Sequence, residues 1–548
     1  MEAKSEKIFG NLVDLHHETI YPAEIDIEKG RIASIRKKEG KENSYIMPGF
    51  VDAHIHIESS MLPPSEFARL ALVHGTIATV SDPHEIGNVL GTDGVDYMLE
   101  NGSLVPFKFY FGAPPCVPAT NFETAGARIG PSEIAYLLRK KEIKYLSEVM
   151  NFPGVIHHDP DMMEKLSIAK QLHKRIDGHA PGVRGEDLRK YIAAGIETDH
   201  ECTTLDEARE KLTKGLKILI REGSAARDFD ALFPLMKEHP ERCMLCSDDL
   251  DPHSLVQGNI NLLVRRAVAK GMDPLKALRC ASKNAIEHYG LEVGMLRVGD
   301  PADFIRVGDL KEFPILSSHI NGVCVAQNGK PLFPRIVPKI VNRFNAKKKE
   351  VADFRIPAKE GLIRIMEAFD GQLITRQLLE QPLIEKGFAV ADPTRDLLKI
   401  AVVNRYFDAP PKLGFIKNFG LKRGAIASSV AHDSHNIIVV AATDEALCKA
   451  VNCVIAHKGA IAAADHDWEE CLPLPIAGLM SDREGHWAAE QVVKLEKTAK
   501  KLGSSLTSPY MTLSFMALLV IPELKMSDLG LFDGNRFAFT DLFVKQSV

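Results

Sequence analysis

Between Gly49 and Gly290, short apolar runs alternate with helix-like stretches, and no other feature of the chain limits its fold so strongly. The runs span 49–56, 76–80, 107–111, 145–150, 176–179, 196–200, 216–220 and 242–246. Helical patterns fall between them, as at 162–174 and 205–214. Repeated strand–helix units require parallel strands joined by right-handed crossovers. Eight such units within roughly 240 residues predict a (β/α)8 TIM-type barrel. An open doubly wound sheet is the alternative, but no Gly-x-Gly-x-x-Gly follows an early strand to favour it.

The flanks have a different texture. Residues 7–13, 24–28 and 31–35 read as short strands, with Lys29-Gly30 as a hairpin turn. From Gly290 to about Pro334 the chain again alternates strands and turns. These segments, 1–48 and 291–345, are expected to form one small β-sandwich beside a barrel of residues 49–290. Lys347-Lys348-Lys349-Glu350 reads as a charged linker or a solvated turn. Residues 351–548 mix strands and helices and predict a C-terminal α+β domain.

At 548 residues the chain is too long for one domain. A formal charge of −5 argues against nucleic acid as a partner, because such surfaces are usually basic. No run approaches the 18 apolar residues of a membrane span, and Met1 to Lys7 lacks an apolar signal core. Nine scattered cysteines fit a reducing cytoplasm. Cys243 and Cys246 form a C-x-x-C without a second pair, and they read as core thiols rather than a zinc or redox motif. A homo-oligomer is left open, since no helical seam specifies one.

In a barrel of this kind, residues at the C-terminal ends of the strands converge on one site. The first strand ends in His54 and His56, which share one face because side chains alternate along a strand. The second runs into Asp82-Pro83-His84-Glu85, and the fourth carries Glu148. The fifth ends in His179, the sixth in His200 and the eighth in Asp248. One divalent cation can take His54, His56 and Asp248, another can take His179 and His200, and Glu148 can bridge them through its two oxygens. Imidazole and carboxylate without thiolate suit Mn, Fe or Zn. Asp52, Asp177 and Asp199 stand beside the histidines and are candidates to fix their tautomers.

The motifs also carry a resemblance. Pro48-Gly49-Phe50-Val51-Asp52-Ala53-His54-Ile55-His56, Glu148-Val149-Met150-Asn151-Phe152-Pro153-Gly154, Asp177-Gly178-His179-Ala180, Asp199-His200-Glu201-Cys202, Arg221-Glu222-Gly223-Ser224-Ala225 and His432-Asp433-Ser434-His435 resemble the adenine deaminases of the amidohydrolase superfamily. The His-x-His pattern marks the superfamily, whereas the Glu148 segment and the His432 segment are specific to the branch. Glu148 stands where many relatives carry a carboxylated lysine, which argues against hydantoinase-like and dihydroorotase-like readings. After Asp248-Asp249 the family pattern continues Arg-His-Pro, while this chain has Leu250-Asp251-Pro252-His253.

The resemblance implies hydrolysis of adenine to hypoxanthine and ammonia, in purine salvage or catabolism. The nucleophile would be a hydroxide bridging two divalent metals, with Mn or Fe favoured and Zn as the alternative. Asp248 is placed to take the proton of the attacking water and return it to the leaving amine. A carboxylic acid with a raised pKa could protonate N1, and Glu201, Glu58 and Glu85 are the candidates. Candidates for purine contact are His84, Ser224, His432, Asp433 and His435. The segment from His432 to His435 could reach into the barrel mouth, or form a network internal to the last domain. A related hydrolase with another substrate and a metal-free scaffold are the competing functions.

Overall fold

The computed structural model describes residues 6–224 and 226–544, so Ala225 of the Arg221 motif and Met1 to Ser5 lie outside the described residues. Five parallel strands pair in sequence order, Phe50–Ile55, Thr76–Ser81, Lys108–Ala113, Ile143–Val149 and Arg175–Gly178. Three more, Thr198–Asp199, Lys217–Arg221 and Cys243–Cys246, form a second parallel sheet. The first, second, sixth and eighth strands are buried along their whole length, as expected where helices cover a parallel sheet.

Backbone hydrogen bonds join the two sheets on both sides. Glu197 N donates to Ile176 O at 3.0 Å on one side, and Asp248 N donates to His54 O at 2.9 Å on the other. The succession of eight parallel strands with intervening helices is TIM-type in character. The sixth strand is only two residues long, but Glu197 just before it bonds both neighbours, so the ladder continues. The helix expected at 162–174 runs instead from Pro160 to Gln171. Asp159 caps it by accepting from Met162 N, and Pro160 fills the first helical position, a start signal that hydrophobic spacing alone misses.

The N-terminal and post-barrel segments share one eight-stranded sheet. Tyr45–Met47 joins them, pairing with Glu6–Asp14 on one side and Phe304–Val307 on the other. The Lys29-Gly30 hairpin is present, with φ of 49° and 76°, connecting Thr19–Glu28 to Arg31–Lys37. The C-terminal part is built on a nine-stranded mixed sheet that includes Leu398–Val403 and Ile437–Ala441, with the helix Asp444–Ala456 packed on it.

The charged run after Asn345 differs from a solvated turn at one position. Lys349 is buried, and its ammonium donates to Asp408 Oδ1 at 2.7 Å and to Ala409 O at 2.9 Å. Its apolar stem is covered while its head finds a carboxylate, so charge alone did not mark it as exposed. Cys243 and Cys246 are buried free thiols within the eighth strand. Among the described residues no helix is long and apolar enough to cross a membrane.

Candidate metal centre

The strand ends converge as the barrel geometry requires. His54 Nε2 and His56 Nε2 are 3.2 Å apart, and both rings are buried. Asp248 Oδ1 stands 3.3 Å from His56 Nε2 and 3.8 Å from His54 Nε2. Glu148 divides its two oxygens between the histidine pairs. Its Oε1 lies 3.3 Å from His56 and 3.9 Å from His54, while its Oε2 lies 2.6 Å from His179 Nδ1 and 3.2 Å from His200 Nε2. The rings of His54 and His200 stack at 4.0 Å and bring the two halves together.

Burial by itself would raise the Glu148 carboxyl, but the imidazoles of His179 and His200 reverse this and hold it well below the usual range. Burial likewise opposes ionisation of Asp248, yet the hydrogen bond from His56 and the charge of Arg221 keep it well below its ordinary value. His54 is pushed well below the ordinary histidine range by burial and by His200, which favours the neutral, ligating imidazole. His200 is raised to about 9, against its burial, by Glu148 and the neighbouring carboxylates. A cation binding there would displace a proton.

The donor set fits divalent ions. Groups of buried histidines and acids whose ligand atoms lie within 4.8 Å of one another include His54/His56/Asp248, His54/Glu148/His200, His179/His200/Glu201 and His56/Asp82/His84/Glu148. Asp82 Oδ2 and His84 Nδ1 are 3.3 Å apart, buried, and without a hydrogen-bond partner among the described residues. Such orphaned atoms are expected where an ion completes the site. His56 Nδ1 lies 3.1 Å from the carbonyl oxygen of Asp82, so an N–H donated there leaves Nε2 free to ligate. The three acids expected to orient the histidines bond elsewhere. Asp52 accepts from Ser247 N, Asp177 from Thr198 Oγ1 and Tyr289 OH, and Asp199 from Ala180 N and Lys211 Nζ. Each ties adjacent strands or helices together.

Glu201 lies 3.6 Å from His179 Nδ1 and 3.5 Å from His200 Nε2, and both its oxygens accept from Arg221. Arg221 also donates to Asp248 Oδ2 and Asp228 Oδ2, each at 2.8 Å. It is 3% exposed, and sequence reasoning did not single it out. The signal was available, since it closes the seventh strand as His200 closes the sixth. Asp248 has a left-handed backbone with φ of 58°, a strained conformation for a residue with a side chain.

The C-terminal domain forms part of the site. His432 Nδ1 is 2.6 Å from Glu85 Oε1, and His435 Nε2 binds the other oxygen of Glu85. Asp433 Oδ1 is 3.9 Å from His84 Nε2. The segment from His432 to His435 therefore meets the barrel rather than closing only on its own domain. A cavity of about 40 Å³ above the histidines is lined by barrel residues together with His432, Asp433, Phe515, Leu518 and Ile521. It shares Glu201, Arg221 and Phe515 with an adjoining cavity of about 520 Å³. His84, Glu85, Glu201 and Asp248 line the smaller cavity, and Ser224 lines the larger one. Glu58 and His435 stand behind the wall. Glu58 Oε1 accepts from Ile86 N, and burial raises its carboxyl to about 7.

One buried acid near this interface gives a pH prediction. Burial, helped by Asp433, raises Glu123 from 4.5 to about 8. Between those values the native chain holds a proton that the unfolded chain has released. Stability therefore falls as pH rises through that window, by at most about 1.4 kcal/mol per pH unit. Glu123→Gln should flatten the decline and make the variant the more stable protein above about pH 8. Urea midpoints measured across the window check this, and parallel curves for the two proteins would refute it.

The comparisons with known proteins agree with the geometry. Residues 45–325 match the amidohydrolase family, and residues 372–538 match the adenine deaminase C-terminal domain. An adenine deaminase of Sulfurovum sp. (strain NBC37-1) is 57% identical over 542 residues, 99% of each chain. One from Salinibacter ruber is 52% identical over 98% of this chain and 99% of its own length. One from Methanosarcina mazei is 52% identical over 99% of this chain and 100% of its own. With both parts of the sequence matched and the strand-end histidines and acids gathered at one place, the chain belongs to the adenine deaminase family of the amidohydrolases.

Proposed function

We propose that the protein hydrolyses adenine to hypoxanthine and ammonia at a two-cation centre in the mouth of a closed (β/α)8 barrel. The observation that carries this reading is the division of Glu148, one oxygen toward His54 and His56 and the other toward His179 and His200. His54, His56 and Asp248 would hold one cation and His179 and His200 the other. Bound there, a cation pair supplies a water that ionises near neutral pH. Imidazole and carboxylate donors without thiolate suit Mn, Fe or Zn alike, and the family resemblance favours Mn or Fe. The domains proposed are 1–48 with 291–345, 49–290 and 351–548.

Asp248 takes the proton of the attacking water and returns it to the departing amine. Its contact with Arg221 fixes the carboxylate for both transfers. Attack at C6 drives negative charge toward N1. Two cationic groups line the cavity on this side of the chemistry, Arg221 and His432, the latter raised to about 9 by Glu85 against its burial. We place the stabilisation of that charge on them rather than on a protonated acid. Glu85 is held well below the ordinary range by its histidines despite burial, Glu201 is saturated by Arg221, and Glu58 stands outside the cavity. His84 and Asp433 lie where they can contact the purine edge, and His435 positions Glu85.

Elemental analysis of the purified protein, paired with ammonia release from adenine against guanine, cytosine and hydantoins, tests the proposal. Two divalent ions per chain and preferential turnover of adenine are expected. A protein free of metal, or one that prefers a hydantoin, would rule it out. His432→Ala should lower kcat/KM for adenine roughly tenfold to a hundredfold, the cost of a lost charged hydrogen bond, chiefly through kcat and with metal content retained. An unchanged kcat/KM would remove His432 from that role.

A further inference from the structure

A second cluster of ligating side chains lies far along the chain from the barrel motifs. Cys453 and His457 are four residues apart at the end of the helix Asp444–Ala456, so they project on one face. Cys471 faces them from the strand Glu469–Pro473, at the edge of the nine-stranded sheet. Ligand atoms of the three residues lie within 4.8 Å of one another. Cys453 is buried, Cys471 is half-buried, His457 is exposed, and both thiols are free.

We infer that Cys453, His457 and Cys471 form a binding site for one thiophilic divalent cation of the Zn2+ class, with solvent as the fourth ligand. Tetrahedral zinc, with bonds of about 2.3 Å to sulfur and about 2.0–2.1 Å to nitrogen, places sulfur and nitrogen donors about 3.6 Å apart. Cys471 Sγ stands 3.6 Å from His457 Nδ1 and 3.7 Å from Nε2. His457 Nδ1 is also 2.9 Å from the Cys453 carbonyl oxygen. An N–H donated there leaves the lone pair on Nε2, the arrangement typical of a ligating histidine. A cation here would pin the end of the helix to the edge of the sheet.

The barrel groups described above offer imidazole and carboxylate donors, so a thiolate-to-Co2+ charge-transfer band that is lost in Cys471→Ser reads this site. Full-length protein, reduced and already carrying its barrel cations, is titrated with Co2+. The near-ultraviolet band should saturate at one Co2+ per chain, vanish in Cys471→Ser, and need a higher Co2+ concentration in His457→Ala. Ammonia release from adenine should stay at the wild-type level in both variants, which separates this inference from the barrel reading. Absence of the band in the reduced wild type, or an undiminished band in Cys471→Ser, overturns it. So does a Cys453–Cys471 disulfide that forms in air and is the only change the pair undergoes.

Discussion

Asp248→Asn is expected to slow deamination of adenine by about a hundredfold to ten-thousandfold, the usual worth of a positioned general acid–base group. Asparagine keeps nearly the shape of the side chain and one oxygen toward His56, but it cannot accept a proton at neutral pH. The loss should therefore appear in kcat, with the Michaelis constant and the cation content close to wild type. Ammonia release and elemental analysis on the same preparation measure both. A variant that retains its metal and deaminates at the wild-type rate would refute the proton-transfer role. Arg221 loses one acceptor in this variant, so folded content must be matched first.

Arg221→Ala is expected to have the largest effect on stability. The guanidinium is buried and serves Glu201, Asp228 and Asp248 together. Deleting it leaves three buried carboxylates without their shared counter-charge, a loss of about 3–5 kcal/mol by analogy with other broken buried pairs. The urea midpoint should drop accordingly, and further in chelator-treated protein, where no cation offsets the charge on Asp248. Arg221→Lys should recover only part of the loss, because an ammonium cannot reproduce the two-pronged contact with Glu201. An unchanged midpoint in Arg221→Ala would show that the three acids are neutralised in another way.

The candidate site was legible from the chain to the extent that it obeyed a positional rule. His54, His56, Glu148, His179, His200 and Asp248 each stand at or beside a strand end, so alternation and strand order were enough to assemble them. Arg221 obeys the same rule, but a guanidinium is no ligand for a cation, so donor chemistry gave it no role. Asp52, Asp177 and Asp199 were misplaced for a different reason. Adjacency in sequence suggested contact with the histidines, but the carboxylates accept instead from backbone and side-chain donors of neighbouring strands and helices. The roof was hidden too. Nothing local to Phe515, Leu518 or Ile521 separates a residue over a cavity from one in an ordinary core.

The linear chain determined the parallel strand series, the donor types and their pairing across Glu148, since all three follow from periodicity and from which side chains end each strand. Only the folded molecule decided that Glu85 meets His432 and His435 across an interdomain boundary, that Arg221 gathers three acids, and that two thiols and an imidazole meet at a sheet edge. Those contacts join residues up to hundreds of positions apart, and the packing of whole domains sets the distances between them.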